Sequence, residues 1–412
     1  MSQEPSISSV PHHTSAERHD FRTLLILCLL MAFASISTDI YLPALPTMAA
    51  ALHAGPGGAE LTISGYLVGF CLGQLFWGPL SDRIGRRTPI AMGMVLFIVG
   101  SAGCALAHSV EAMVGWRALQ AVGACAGVTL ARAIVRDLYA GSRAAKMMST
   151  LMIVTAIAPL VGPSVGALIL QVAPWRDIFW LLSGIGLVTL ALLITLPETL
   201  PVEQRTRAPL VQVFRTYGML LRQPRLLGYA GVGACQYGGI FAYVAGTPFA
   251  YITYHHVPPQ YYGALFALGS LGIMAANLFN VRFVTRFGSD KLMRAGAIGA
   301  GVMGVTAAIT ASTGWGGLAG LVVPLFLFIA CNGLIVANAI TGALNLHPEA
   351  AGAVSALVGA TQFGTGILGS ALVGLLADGT PRPLGLAMAL FGTGCAVCAL
   401  ALPRHNQPCV PA

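Results

Sequence analysis

Long apolar runs separated by short polar ones dominate the chain. A helix needs about 20 apolar residues to cross the hydrocarbon of a bilayer. Twelve runs meet that length, at roughly 22–42, 60–79, 89–107, 111–131, 147–171, 178–196, 227–253, 261–282, 293–311, 318–340, 352–377 and 383–402. The pattern predicts an all-α integral membrane protein with twelve transmembrane helices. Prolines and polar residues blur several ends of these runs.

The basic residues fix an orientation. With residue 1 placed inside, 19 of the 22 Lys and Arg fall in inside segments, Arg132 and Arg136 among them. Arg176 and Arg382 fall outside, and Arg117 lies within a span. Positive charge collects on the cytoplasmic side of membrane proteins, and one missed span would invert every later loop. The asymmetry therefore supports both twelve spans and two cytoplasmic termini. The longest loop, 197–226, is basic and divides the chain into six spans (22–196) and six more (227–402), between tails at 1–21 and 403–412. The halves echo each other weakly: Asp82-Arg-Ile-Gly aligns with Thr285-Arg-Phe-Gly, each in the hairpin between the second and third spans of its half. Two six-span halves with a repeat suit a secondary transporter with its site at their interface near mid-membrane.

Composition agrees. Of 412 residues, 56% are hydrophobic and only 9% charged, against about 25% in soluble domains. Fifty glycines suit close helix packing in lipid. The net charge of +8 sits in hairpins and forms no aromatic-interleaved patch, so no nucleic-acid partner is expected. Nine scattered cysteines give no disulfide framework. Cys395-x-x-Cys398 has redox or metal spacing but no histidine or acid nearby, so it is taken as helix packing and no metal site is expected. His12, His13 and His19 sit in a polar N-terminal stretch that lacks the layout of a cleavable signal peptide. No Walker lysine follows the glycine-rich runs, so ATP is not the expected energy source. No catalytic constellation points to an enzyme.

Five motifs narrow the class. Gly78-Pro-Leu-Ser-Asp-Arg-Ile-Gly-Arg-Arg87 resembles the loop 2–3 signature of the major facilitator superfamily, with Gly78, Asp82, Arg83, Gly85, Arg86 and Arg87 in its key positions. Arg117, Gln120 and Gly123 resemble the fourth-helix motif. Pro159, Gly162, Pro163 and Gly166 resemble the fifth-helix antiporter motif, although Ala158 and Ala167 replace glycines of its fullest form. Asp39-Ile-Tyr-Leu-Pro-Ala-Leu-Pro46 and Trp175-Arg-Asp-Ile-Phe179 look like the Bcr/CflA family of bacterial twelve-span drug/proton antiporters. Met31 stands where some related exporters carry a second acid on the first helix. The resemblance covers about residues 22–402. It implies the major facilitator fold, two pseudo-symmetric six-helix bundles. It also implies that Asp82 meets the start of the eleventh helix, near Gly352, when the cytoplasmic side is closed, and so acts as a latch. The plainer alternative is a topology anchor, for which three arginines would suffice.

Asp39 and Arg117 are the ionisable residues placed within spans. At 1.5 Å per residue, Asp39 lies about 26 Å along the first helix from Arg22 and Arg117 roughly 10 Å into the fourth. A charge there costs about 2.5–3.5 kcal/mol on insertion scales and usually faces a cavity. Burial and a nearby guanidinium push a carboxyl's proton affinity in opposite directions, which suits a proton carrier. A static ion pair, or an Asp39 that merely caps a shorter helix, are the alternatives. The two helix-5 prolines remove backbone donors while Gly162 and Gly166 admit a close neighbour, which would serve either a leak-sealing bend or ordinary packing. Tyr41, Gln236, Tyr237, Asn332, Asn338 and Gln362 are polar groups that would line a substrate cavity or bond neighbouring helices.

The expected protein is a monomeric exporter in the bacterial inner membrane. It would move small drug-like compounds, of chloramphenicol or bicyclomycin type, outward against protons, with lipid as its surround and no cofactor. A proton-coupled carrier of an amino acid or sugar is the alternative within transport. A channel would lack the repeat, and a sensor would carry a soluble output domain.

Overall fold

In the computed structural model, residues 15–206 and 210–403 are described. The expected tails thus lie largely outside these residues, as do Arg207 and Arg404, and the first helix begins at Ser15. Twelve long helices follow one another: α1 Ser15–Asp39, α2 Glu60–Ile84, α3 Arg87–Ala105, α4 Val110–Leu138, α5 Gly141–Val172, α6 Arg176–Leu193, α7 Pro224–Pro248, α8 Pro259–Phe287, α9 Ser289–Thr313, α10 Gly317–Leu346, α11 Ala351–Leu375 and α12 Arg382–Ala401. The described residues contain no strand.

Eleven of these are long and apolar enough to cross a bilayer. The twelfth, α7, is rich in glycine and tyrosine, and a wider π-type segment, Phe249–Tyr254, extends it. It packs against α10, α11 and α12, so neighbouring helices rather than lipid cover much of it. The first span is also composite. α1 stops at Asp39, a 3₁₀ turn Leu42–Ala44 follows, and a short helix Leu45–Ala51 completes a 30-residue span from Arg22. Asp39 therefore sits at a break inside the span, as the last residue of α1.

Helix pairing repeats with an offset of six. α2 packs on α4, α3 on α4 and α6, and α1 on α4 and α5; in the second half α8 packs on α10, α9 on α10 and α12, and α7 on α10 and α11. The contacts between halves, α2 with α11 and α5 with α8, exchange under the same offset. The hairpin echo holds in the backbone too. Gly85 (φ 96°) and Gly288 (φ 83°) end α2 and α8 in a conformation that side-chain-bearing residues rarely adopt. This is the major facilitator fold, two six-helix bundles about a pseudo-two-fold axis.

The fourth span is longer than the apolar run suggests. α4 continues to Leu138, so Arg132 and Arg136 stand on its last turns rather than in a loop. Hydropathy falls there because those turns face water.

A one-sided central cavity and its candidate coupling site

A cavity of about 1510 Å³ lies between the halves. Its helical walls come from α1, α2, α4 and α5 of the first half and α7, α8, α10 and α11 of the second, with Thr216 and Tyr217 of the connecting helix Leu210–Leu220; α3, α6, α9 and α12 contribute nothing to it. It runs from Asp39 and Met31 at its inner end to Asp82, Arg83, Arg86, Arg136 and Gly352 on the face that carries the arginine hairpins, here the basic face. Rings of Phe70 on α2 and Phe363 on α11 meet across the seam at 4.4 Å between centroids. Beyond them, toward the opposite face, the seam is shut: Ser64 and Ser370 hydroxyls hydrogen-bond at 2.8 Å. A Cβ added to Gly263 of α8 would lie 2.9 Å from the Ser164 backbone of α5.

Asp39 is 6% exposed and lines the cavity. No hydrogen bond or ion pair joins it to another described residue. The static ion pair with Arg117, one of the alternatives, is thus absent among the described residues. Arg117 is fully buried and otherwise engaged: Nη1 donates to the Ser37 carbonyl (2.9 Å) and to Gln120 Oε1 (2.5 Å). Its guanidinium carbon lies 4.2 Å from the Tyr41 ring centroid and 4.4 Å from that of Tyr66. Nε and Nη2 have no hydrogen-bond acceptor; the two ring faces stand in, each cation–π contact being worth about 2 kcal/mol when desolvated. Gln120 passes the chain on, donating to Ser101 Oγ at 2.7 Å. A Cβ on Gly123, one turn later, would come within 2.4 Å of the α3 backbone, so this glycine seats α4 on α3. Arg117 therefore touches Asp39 only through the last turn of α1, by gripping the carbonyl of Ser37.

The fifth-helix motif packs on the same spot. α5 runs as one helix through Pro159 and Pro163. A Cβ at Gly162 would lie 3.1 Å from Asp39 Cβ, and one at Gly166 only 1.7 Å from the Ile40 carbonyl oxygen. Both glycines leave the room that the broken end of α1 occupies, and Pro159 lines the cavity beside it.

The arginine hairpin is folded on itself. Arg86 is 4% exposed and binds Asp82 (2.6 Å), Asp137 (2.8 Å) and Ser81 Oγ (2.7 Å). Gly85 leaves space in which a Cβ would lie 2.4 Å from Glu198 Oε2. Glu198 accepts from the backbone N–H of Arg86 (2.8 Å), Arg87 (3.2 Å), Thr199 (3.0 Å) and Leu200 (3.1 Å). Burial works against its charge, but these four donors hold its carboxyl below the ordinary glutamate range. Arg87 also donates to the Ile194 carbonyl. Asp82, Arg83, Gly78 and Gly352 all line the cavity mouth, and nothing lies within 4 Å of a Cβ on Gly352. The mouth is open, so the contact expected between Asp82 and α11 is not made in this state.

Of the polar cavity candidates, Tyr237, Asn332 and Gln362 line the wall. Asn332 Oδ1 and Gln362 Nε2 are buried without partners. The other three take the alternative and bond neighbouring helices. Tyr41 is sealed beneath Arg117, its hydroxyl 3.3 Å from Thr62 Oγ1. Gln236 faces α10 and donates to the Phe328 carbonyl. Asn338 ties α10 to α8 through Asn280 at 2.7 Å. Sequence reasoning missed Glu60, which is 3% exposed with Oε2 unpartnered at the head of α2. It also missed Asp137 and Glu198, whose partners lie far away in sequence. All eight described cysteines are free, and Cys395 packs against the Val232 carbonyl.

Comparisons with known proteins agree with this architecture. The Major Facilitator Superfamily pattern matches residues 27–370. The chain is 30% identical to a bicyclomycin resistance protein homolog of Haemophilus influenzae, over 89% of this chain and 92% of that one. It is 32% identical to a chloramphenicol resistance protein of Pseudomonas aeruginosa, over 90% of each. The fold is similar to that of a D-xylose–proton symporter, with a TM-score of 0.74 at 16% identity, covering 93% of this chain and 97% of that one. The chain belongs to the major facilitator superfamily, as a multi-pass membrane transporter of the Bcr/CflA type.

Proposed function

We propose that this protein exports small drug-like compounds across the bacterial inner membrane in exchange for protons, with both termini cytoplasmic. The observation that carries the reading is a cavity open only on the basic face, with an unpartnered buried carboxylate, Asp39, at its closed end. Drug-resistance relatives of matching length support the choice of cargo. Substrate enters from the basic face, taken as cytoplasmic because positive charge collects there. When the cavity opens to the other side, Asp39 takes a proton, and substrate leaves.

Arg117 acts by position. It fixes the last turn of α1 through Ser37, while Gly162 and Gly166 of α5 clasp the break just beyond. A change of charge on Asp39 is thus felt where α1, α4 and α5 meet. One carboxylate suffices energetically. Moving one charge through 100 mV supplies about 2.3 kcal/mol, whereas a tenfold gradient of a neutral compound costs about 1.4 kcal/mol. The cycle calls for no nucleotide and for one chain alone.

The test is an antibiotic-susceptibility panel in an efflux-deficient strain, with and without a protonophore. Resistance should appear with the wild-type chain, disappear with the protonophore, and be absent for Asp39→Asn at equal membrane abundance. Wild-type resistance in Asp39→Asn would sink the coupling role.

A further inference from the structure

Arg132 stands on α4 six residues before its end, and its side chain opens into the central cavity. No hydrogen bond or ion pair engages its guanidinium among the described residues. The acids that could neutralise it are committed elsewhere or set apart. Asp82 and Asp137 both bind Arg86, and Asp39 is not within ion-pair distance. Four arginines line the cavity (Arg83, Arg86, Arg132, Arg136) against two aspartates, Asp39 and Asp82. Arg83, Arg86 and Arg136 belong to the mouth, whereas Arg132 lies one turn deeper along α4 than Arg136, and Tyr237 of the facing half lines the same cavity. Tyr237 joins an aromatic wall with Phe241 and Phe363, ring centroids 5.6–6.1 Å apart.

Arg132 is exposed to the open cavity, and no protein group among the described residues claims its guanidinium. Arg117, on the same helix, is compensated by a carbonyl, an amide and two rings. Arg132 has only water or cargo. Its planar fork matches a carboxylate with two parallel hydrogen bonds, and the aromatic rings that line the same cavity accept a flat apolar body. We infer that Arg132 anchors a carboxylate on the transported compound, and that the preferred cargo is an amphipathic aromatic carboxylate. This deepens the export reading by naming a substrate class, and it rests on the same cavity.

The experiment is a fluorescence titration of the purified full-length protein with anthracene-9-carboxylate and with anthracene-9-carboxamide, which share ring and size but differ in charge. Wild type should bind the carboxylate about tenfold or more tightly than the amide, the scale of a charge-assisted hydrogen bond. Arg132→Gln should abolish that preference while leaving amide affinity unchanged, so the amide also reports that the variant is folded. Arg132→Lys, which keeps the charge but not the fork, should retain part of it. Equal affinities in wild type, a preference that survives Arg132→Gln, or equal loss of both ligands would overturn the assignment; the last would make Arg132 a gate element. Binding requires no proton coupling. A negative result here leaves protonophore-sensitive efflux untouched, and loss of that efflux would leave a carboxylate preference standing.

Discussion

At one end of the seam between α2 and α11, backbone meets backbone; at the other end nothing meets. On the face opposite the arginines, a Cβ on Gly57 would fall 1.7 Å from the Gly374 carbonyl oxygen, and Ser64 and Ser370 share a hydrogen bond. On the basic face, Gly352 has open space around it, and Asp82, Arg83 and Arg136 look into water. The closed end is sealed by small residues in contact, Gly57, Gly374, Ser64 and Ser370, with the buried carboxyl of Glu60 beside them. The open end is built from charged groups that are satisfied within their own half, Asp82 by Arg86 and the start of α3 by Glu198. At the charged end, Asp82 and Arg86 keep their pairing while the mouth stands open, so opening there separates no ion pair. The two ends therefore answer to different perturbations.

The sharpest way to break the comparison is to make closure impossible at the small-residue end. Gly57 has φ 77°, and a side chain there meets backbone. Gly57→Val adds left-handed strain of about 1–2 kcal/mol to a clash that only separation of α2 from α11 relieves. Transport should fall by about tenfold or more, since a shift of about 1.4 kcal/mol in a two-state equilibrium is already tenfold. A reporter cysteine at Ser370, in a background freed of native cysteines, should become reactive to a membrane-impermeant maleimide from the side opposite the arginines. Unchanged labelling with unchanged transport would mean that this seam does not gate.

A smaller effect is expected at the charged end. Asp82 is paired with Arg86 while the mouth is open, so Asp82→Asn removes little from this state. If Asp82 meets the helix-11 N-terminus when the mouth shuts, the variant loses roughly 0.3–1 kcal/mol of dipole stabilisation in that state alone. Turnover should drop a few-fold, with substrate affinity nearly unchanged, as measured by transport rate and by equilibrium binding. An equal loss in both would place Asp82 in the binding site instead.

Much of this was legible in the sequence, and the failures have a common cause. Length and apolarity located all twelve helices, and the hairpin charges located the basic face, because those signals depend on the solvent around a segment. The motif residues Asp39, Arg117, Gly162 and Gly166 also proved to converge, at the break in α1. Which way a side chain points was not legible. In a helix apolar all round, no polar stripe marks the cavity face, so Tyr41, Gln236 and Asn338 looked no different from Tyr237, Asn332 and Gln362. Arg132 was assigned to a loop because charge on a cavity-lining turn mimics the end of a span. Glu60 was overlooked because it falls on the boundary residue of its run. Glu198 clasps Arg86 across 112 positions, and nothing local announces it.

The Glu198 clasp offers the smallest and most local test, because it stabilises the charged end without touching the seam. Its carboxyl is held below the ordinary glutamate range by four backbone donors against the cost of burial. For a depressed carboxyl, the contribution to stability is complete above the unfolded value, about 4.3, and is lost as pH falls through the folded value. At neutral pH the clasp should therefore be insensitive to small changes of pH. Below about pH 4, the amides of Arg86, Arg87, Thr199 and Leu200 should lose protection from hydrogen exchange, after correction for intrinsic rates. Glu198→Gln should show that loss at every pH and no further acid-dependent step, because an uncharged amide still accepts but more weakly. Gly57 and Ser370 should be unaffected in the same measurement. An acid-dependent loosening that reached the opposite seam would show that the two ends share one switch, and the separation of chemistries drawn between them would fail.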